Sequence, residues 1–207
     1  MRTGSLVEGL LKGCERFANL AYLNLLWCAF TLLGLGIFGV SPATIAVIRL
    51  LRKQKQEPMN EGAMLKEFAR VYRDHFIQSN KLGLLLLVLC LSLVGSGIIM
   101  IETNAPLLIK SMLVFSLTGF AMIVLLTMPQ YERQQTGPVG TMKIALWLGL
   151  SHLPQMFLLS MLFLLIACVF AAFPVVMFFF FASVPLALVV AFHDRFRKKY
   201  EEYVQAE

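Results

Sequence analysis

The stretch AYLNLLWCAFTLLGLGIFGVSPAT, residues 21–44, decides the fold class of this chain. It is long and apolar enough to cross a bilayer, since a helix needs about 20 residues to span roughly 30 Å of hydrocarbon. Its first half holds one amide side chain, Asn24, and its second half is interrupted by glycines and by Ser41-Pro42. The stretch therefore predicts a spanning helix over residues 21–40 and a second helix that begins at Ser41-Pro42.

The composition of the whole chain is that of a membrane protein. Of its 207 residues, 58% are hydrophobic and 14% are charged, whereas a soluble domain carries about 25% charged residues. Because unpaired backbone groups cannot face lipid, the uncharged intervals must be helices. We predict an all-α, polytopic membrane helix bundle with five spans, or six in an alternative topology, and amphipathic interfacial helices. The predicted spans are residues 21–40, 82–101, 106–128, 155–171 and 174–192.

The net charge of +6 is concentrated beside the predicted spans. Eight Lys or Arg residues lie from Arg49 to Lys81, and four more follow Asp194. Under the positive-inside rule, the basic loop 49–81 and the tail 193–207 are cytoplasmic. No stacking platform or groove-reading helix accompanies these bases, so we expect the lipid bilayer, and no nucleic acid, as their surroundings.

The topology of the first 53 residues stays open. Residues 1–20 have apolar side chains at helical spacing, which predicts an amphipathic amino-terminal helix. If the amino terminus is outside, the chain has five spans and the helix after Ser41 lies on the cytoplasmic surface, which is the arrangement that we favour. If the amino terminus is inside, that helix must re-enter or cross the membrane, giving six spans and drawing Arg49 inward.

A polar helix is predicted within the basic loop. From Asn60 to Ser79 the apolar residues follow a helical stripe, and charged residues occupy the other faces. We predict that the aromatic residues of this stripe form a partner surface: Phe68, Tyr72 and Phe76.

The candidate polar site within the membrane consists of Asn24, Ser41 and Thr44. Asn24 serves either as interhelical glue, which we favour, or as part of a polar cavity. Ser41 and Thr44 lie at the predicted helix start, where free N–H groups bind an anion or are capped by the side chains themselves.

Other motifs favour structural roles. Gly34, Gly36 and Gly39 spell G-x-G-x-x-G, but they lie inside an apolar run rather than after a strand, which favours close helix packing or a break in the helix over dinucleotide binding. The histidines, His75, His152 and His193, lack metal-ligand spacing. The predicted spans contain no acid or base in the favoured topology, so we expect no catalytic residue, no cofactor, no metal and no enzyme activity. The four cysteines have no CxxC spacing and are expected to be reduced. They are Cys14, Cys28, Cys90 and Cys168.

The run AYLNLLW resembles the YesL-like family of bacterial integral membrane proteins of unknown function. The resemblance continues in the glycine-bearing stretch, in Pro42-Ala43-Thr44, and in the later Phe76, Ser79-Asn80 and Leu82-Gly83. Ser41 departs from it, since relatives are expected to carry glycine or a bulkier residue there. The resemblance implies a Gram-positive plasma membrane protein, often encoded near carbohydrate ABC importers and sensor kinases.

Two functions are the main hypotheses, and a third, less favoured one is an enzyme on lipid or polyprenyl substrates with an interfacial site at His152 or His193. The first is a non-catalytic accessory or regulatory subunit associated with carbohydrate uptake or sensing, with ABC-type sugar importer subunits or a sensor kinase as partners. The second is a small transporter or channel subunit that acts as a homo-oligomer, with Asn24, Ser41 and Thr44 facing its path.

Overall fold

The protein is an all-α bundle of seven named helices in the part of the chain that the structure describes. The computed structural model describes residues 2–102, 106, 108–110, 124, 126–132, 138–151 and 153–205. The helices are α1 (Arg2–Leu33), α2 (Ile37–Gln54), α3 (Glu61–Glu102), α4 (Pro138–Ser151), α5 (Leu153–Ala172), α6 (Pro174–Phe180) and α7 (Ser183–Gln205). Residues 126–132 are also helical and are called the 126–132 segment.

Helix α2 is the centre of the bundle. It contacts α1, α3 and α7, and side chains on most of its circumference are buried. Such all-round burial is typical of a helix in the core rather than at a surface. The helix after Ser41 is therefore buried among other helices of the chain, and its position relative to the membrane stays a prediction.

Helices α1 and α2 form a hairpin around a tight backbone turn. Leu35 and Gly36 have positive φ values of 58° and 76°, a left-handed conformation that glycine adopts easily. The carbonyl of Gly36 then accepts hydrogen bonds from the N–H groups of Gly39 (2.9 Å) and Val40 (3.2 Å). This backbone turn starts α2 at Ile37, so the predicted start at Ser41-Pro42 is wrong by four residues.

The hairpin is antiparallel along its length. Trp27 Nε1 donates a hydrogen bond to Thr44 Oγ1 (3.1 Å), and nearer the turn Gly39 packs against Thr31. The amino-terminal part of α1 therefore lies on the same side of the bundle as the basic end of α2. This arrangement agrees with the topology in which the amino terminus and the basic loop share a side, and not with the one favoured from sequence.

Glycine is required where the two helices touch. A Cβ atom built on Gly39 lies 2.6 Å from the Cα atom of Thr31, and one built on Gly34 meets the backbone of Gly39. Small residues allow such close approach of helix backbones. The interpretation of this motif as close packing and a local break is confirmed.

We expect Gly39→Ala to lower the free energy of unfolding by about 2 kcal/mol, because neither backbone can move aside to admit the methyl group. Gly62→Ala is the matched control, since a Cβ at Gly62 meets nothing within 4 Å and alanine favours helix by up to about 1 kcal/mol. Denaturation of both variants in mixed micelles measures the difference. Equal stability of the two would contradict the close contact.

Helix α3 joins two predicted elements into one. Asn60 caps it, since Asn60 Oδ1 accepts from the N–H of Ala63 at 2.9 Å, and the helix runs 42 residues without a break. At 1.5 Å per residue it is about 63 Å long. The polar helix 60–79 and the span 82–101 are thus continuous, and no loop separates them.

Candidate membrane spans are found by length and composition within the described residues. Three single helices qualify: Val7–Leu33, Glu61–Met100 and Pro154–Ala172. Helices α6 and α7 qualify together as Pro174–Phe180 and Ser183–Arg195, bent by 58°. These candidates match four of the five predicted spans and indicate a membrane protein. The predicted span 106–128 lies mostly outside the described residues.

The carboxyl-terminal half contains helices outside the predicted spans. Helix α7 continues to Gln205, into the predicted tail 193–207. Residues 129–132 end the 126–132 segment, and α4 begins at Pro138. A second apolar core, formed by Leu126, Ala145, Met156 and Leu159, joins this segment to α4 and α5.

Candidate functional site

A buried polar cluster lies where α2, the 126–132 segment and α7 meet. It is formed by Arg52, Gln130, Glu132, His193 and Asp194, and we call it the polar cluster. Gln130, Glu132 and His193 are buried, and the side chain of Arg52 is 15% exposed. Buried charges persist only when they are paired and hydrogen-bonded, so the contacts of these groups decide what the cluster can do.

Arg52 is the hub of the polar cluster. Its guanidinium binds Asp194 Oδ1 through Nε (3.2 Å) and Nη2 (3.1 Å). Nη1 donates to the carbonyl of Pro129 (3.1 Å) and forms an ion pair with Glu132. This fork geometry uses the rigid set of donors that distinguishes arginine from lysine. One side chain thus joins all three elements.

His193 completes the cluster. Its Nδ1 lies 3.3 Å from Nη2 of Arg52 and 3.8 Å from Oδ1 of Asp194, and its Nε2 lies 2.9 Å from Oε1 of Gln130. The ring therefore contacts α2 and the 126–132 segment as well as its neighbour on α7.

Further basic residues surround the cluster at its exposed rim. Arg49 lies 3.6 Å from Glu132, and Lys55 lies 3.2 Å from Asp194. Nearby, the phenol of buried Tyr131 donates to Gln78 Oε1 (3.3 Å), and burial raises the pKa of this phenol. The cations of these rim pairs are exposed, 39% for Arg49 and 53% for Lys55, so water screens their charges. Arg52 is the better buried cation and makes the larger electrostatic contribution at this end of the bundle.

The contacts of the polar cluster hold α2, the 126–132 segment and α7 together as a clamp. Its acids and bases bind each other, and the described contacts of Arg52 already engage both carboxylates. General acid–base chemistry needs a group within reach of a substrate proton. Within the described part of the chain, no group of three His, Cys, Asp or Glu residues has the geometry to hold a metal ion. His152 lies outside the described residues.

Asn24 is fully buried and binds the break between α6 and α7. Its Oδ1 accepts from the N–H groups of Ala182 (2.9 Å) and Ser183 (3.4 Å), and its Nδ2 donates to the carbonyl of Phe178 (2.9 Å). The first N–H groups of a helix have no partner inside that helix. Asn24 therefore caps α7 from another helix, which agrees with a role as interhelical glue.

The structure does not bring Ser41 and Thr44 together with Asn24 at a shared opening. Ser41 is buried inside α2, where its side chain faces Gly83 of α3. Thr44 Oγ1 accepts from Trp27 and donates to the carbonyl of Val40 (2.7 Å). Neither residue lies at a helix start, so the anion site expected there has no basis once α2 begins at Ile37.

The predicted partner surface is largely internal. Phe68 is fully buried, and its ring lies 4.9 Å from that of Phe30 on α1. Tyr72 packs against Phe30 and Phe76, with ring centroids 5.1 and 5.5 Å apart. The prediction of a free Phe68 surface is wrong, because the apolar stripe of α3 binds the α1–α2 hairpin of the same chain.

Sequence reasoning missed the polar cluster. Arg52 lies in the basic loop and Asp194 in the tail that were both predicted to be cytoplasmic, yet the two residues are partners in the clamp. The available signal was charge balance. One acid, Glu132, follows the third predicted span, and another, Asp194, follows the last predicted span. Both are possible partners for the basic residues of α2. Such pairs are separated by 80 or more residues, and one sequence cannot give their distance.

Comparison with known proteins gives a resemblance over part of the chain and no activity. Residues 20–96 match a family model described as "Protein of unknown function, DUF624". The chain is 37% identical over 115 residues to the uncharacterized protein YteU of Bacillus subtilis (strain 168), which covers 56% of this chain and 48% of YteU. It is 31% identical over 128 residues to the uncharacterized protein YesL of the same organism, which covers 62% of this chain and 60% of YesL.

A third relative, the uncharacterized protein YesV of the same strain, is 36% identical over 84 residues, 39% of this chain and 38% of YesV. The chain thus spans about half the length of the curated relatives that it matches. No solved structure matches it significantly. The resemblance to the YesL-like family is confirmed.

Proposed function

We propose that this chain, which is similar to the YesL-like family of proteins of unknown function over part of its length, is a non-catalytic accessory or regulatory subunit of a bacterial plasma membrane system. The polar end of the bundle, where α2 ends and α3 begins, faces the cytoplasm in this proposal, together with the carboxyl terminus. The partner system takes up or senses carbohydrate, with ABC-type sugar importer subunits or a sensor kinase as the binding partners.

The observation that carries this proposal is the polar cluster. Arg52 binds the acids of two other elements, so the charges stabilise a rigid end instead of facing a cleft. A rigid, charged end joined to apolar helices is suited to holding a partner in a fixed position. The basic charge concentrated from Arg49 to Lys81 supports a cytoplasmic position for this end.

The partner surface in this proposal lies on the outer face of α3. Leu65 is 44% exposed and lies 17 residues before Leu82, or about 25 Å along the helix from the start of the apolar interval. An exposed leucine so far from the apolar interval is available to a protein partner. Phe76, at the same angle around the helix, extends this face.

The test is affinity purification of the tagged protein from its native membrane in mild detergent, followed by mass spectrometry. The proposal expects sugar-importer permeases or a sensor kinase in stoichiometric amounts. Recovery of the protein alone or as a homo-oligomer would overturn it.

We expect Leu65→Asp to reduce partner recovery by about tenfold or more, as for a residue at the centre of an interface. The substitution should change stability by less than about 0.5 kcal/mol, because Leu65 is at the surface. Val139→Asp is the control, since Val139 is an exposed apolar residue of α4. Equal recovery of both variants would remove Leu65 from the interface. Phe68→Asp is unsuitable here because it would disrupt the core.

The second candidate function, a small transporter or channel subunit, is favoured by the bend of 58° between α6 and α7. Broken helices mark solute sites in many transporters. This function predicts release of entrapped radiolabelled glucose from proteoliposomes that contain the purified protein, and loss of that release in Asn24→Leu. Intact retention of glucose by proteoliposomes of the unmodified protein would exclude glucose transport.

A further inference from the structure

An open groove lies beside the polar half of α3 and is separate from the polar cluster. Its volume is about 640 Å³, and it is bounded by α3, the end of α2 and the connection between them. Four basic residues line it, together with one acid: Lys53, Lys66, Arg70, Arg73 and Glu67. We call this feature the basic groove.

The charges of the basic groove are unbalanced. Lys53 Nζ (3.3 Å) and Arg70 Nη2 (2.7 Å) both bind the same oxygen, Oε1 of Glu67. Lys66 has no ion pair with any acid that the structure describes. Arg73 Nε lies 3.7 Å from the exposed carboxylate of Asp74, which does not line the groove. The lining itself carries a net charge of +3, four bases against one acid, in a concave site. Concave surfaces lined by one sign of charge concentrate ligands of the opposite sign.

The geometry of α3 aims three of these cations at one region. Lys66, Arg70 and Arg73 are spaced i, i+4 and i+7, which places them on one face over two turns. Small side chains, Ala63 and Ala69, also line the groove and leave room between the charged groups. Arginine provides a fork of donors that matches phosphate oxygens, and lysine adds a point charge.

We propose that the basic groove binds a phosphate-bearing anion. This inference is independent of the proposed protein partner. Phosphate fits better than a single carboxylate, because several acceptor oxygens around one centre can engage three cations together. The apolar part of the lining, Met59 with the two alanines, suits an organic body attached to the phosphate.

Two sources could supply this phosphate, and the position of the groove separates them. Arg73 and Lys66 lie 9 and 16 residues before Leu82, or about 13 and 24 Å along α3. An upright α3 holds the groove in water, beyond the headgroup layer, where a soluble phosphorylated metabolite binds. A steeply tilted α3 brings the groove to the headgroups of anionic lipids.

The experiment uses the full chain in two arms. In the first, protein in phosphatidylcholine nanodiscs is titrated with glycerol 3-phosphate, and binding is measured by calorimetry. In the second, retention of phosphatidylglycerol over phosphatidylcholine is measured by native mass spectrometry of the detergent-purified protein. Binding of glycerol 3-phosphate that the groove variants weaken identifies a soluble ligand. Retention of phosphatidylglycerol that the groove variants weaken identifies a lipid headgroup.

Variants inside and outside the basic groove test whether binding depends on the groove. We expect Lys66→Gln with Arg73→Gln to weaken binding by about tenfold or more, whereas Glu67→Gln should strengthen it by releasing Lys53 and Arg70. Lys81→Gln with Lys143→Gln removes the same charge from exposed positions outside the groove and should leave binding unchanged. Binding in neither arm, or equal losses in the groove and control variants, would overturn the proposal.

Discussion

Arg52→Met is expected to lower the free energy of unfolding by about 3–5 kcal/mol, the usual effect of removing one partner from a buried ion pair. The guanidinium engages Glu132 and Asp194, and it also binds the carbonyl of Pro129 and the ring of His193. Without it, the carboxylate of Glu132, 9% exposed, keeps only a 3.6 Å contact with Arg49 among the described bases. SDS-induced unfolding in mixed micelles measures the loss.

Lys55→Met is the matched control for this prediction. Lys55 binds the same Asp194 carboxylate, at 3.2 Å, but its side chain is 53% exposed. Exposed pairs contribute about 0–1 kcal/mol, so its removal should have a small effect. If Arg52→Met and Lys55→Met were equally stable, the polar cluster would not be the clamp described above.

A double variant distinguishes the loss of the Arg52–Glu132 ion pair from the effect of the unpaired carboxylate that remains in Arg52→Met. Arg52→Met with Glu132→Gln removes one cation and one anion together, so no unpaired Glu132 carboxylate remains buried. We expect the double variant to recover part of the stability lost in Arg52→Met, because an isolated buried charge is more unfavourable than an apolar replacement of the pair. A double variant no more stable than Arg52→Met would contradict this account.

The sequence predicted the elements whose signals are local. Asn60 was placed at the start of a polar helix, and its side chain caps α3. The glycines after Leu33 were assigned to close packing or a helix break, and Gly34 and Gly39 lie at the contact while Gly36 forms the turn. Each of these roles depends on a few neighbouring residues, so one sequence is enough to indicate them.

The start of α2 shows how a local signal can be overruled. Ser41-Pro42 is a favourable helix start, but the Leu35–Gly36 turn begins the helix earlier and leaves Pro42 inside it. The backbone of Gly36 already accepts the hydrogen bonds of the first turn. Ser41 is then free to pack against α3 at Gly83, a contact that depends on the fold.

The non-local features could not be predicted. An amphipathic stripe on α3 indicates that some apolar surface covers it, but the stripe cannot say whether that surface belongs to the same chain. Phe30 of α1 fills this role for Phe68, which moves the proposed partner surface to Leu65. The polar cluster likewise requires α2, the 126–132 segment and α7 to meet. The sequence of each element shows its charged residues but does not show which of them form ion pairs.

Asn24→Leu is expected to lower the free energy of unfolding by about 3 kcal/mol. The substitution leaves two N–H groups at the start of α7 and the carbonyl of Phe178 without their partner. A buried unpaired group costs about 1–3 kcal/mol, and the total is reduced because interhelical hydrogen bonds in membranes average less than 1 kcal/mol. Unfolding in mixed micelles gives the total effect.

Hydrogen exchange shows where the effect of Asn24→Leu arises. The amides of Ala182 and Ser183 should exchange at least about tenfold faster in the variant, because local opening then needs less free energy. Amides in the middle of α5 should keep their rates, since Asn24 makes no described contact there. Asn24→Asp is the comparison variant, because aspartate keeps an acceptor for both N–H groups, while an oxygen replaces the amide that donates to Phe178. Unchanged exchange at Ala182 and Ser183 in Asn24→Leu would show that the bend between α6 and α7 does not depend on Asn24.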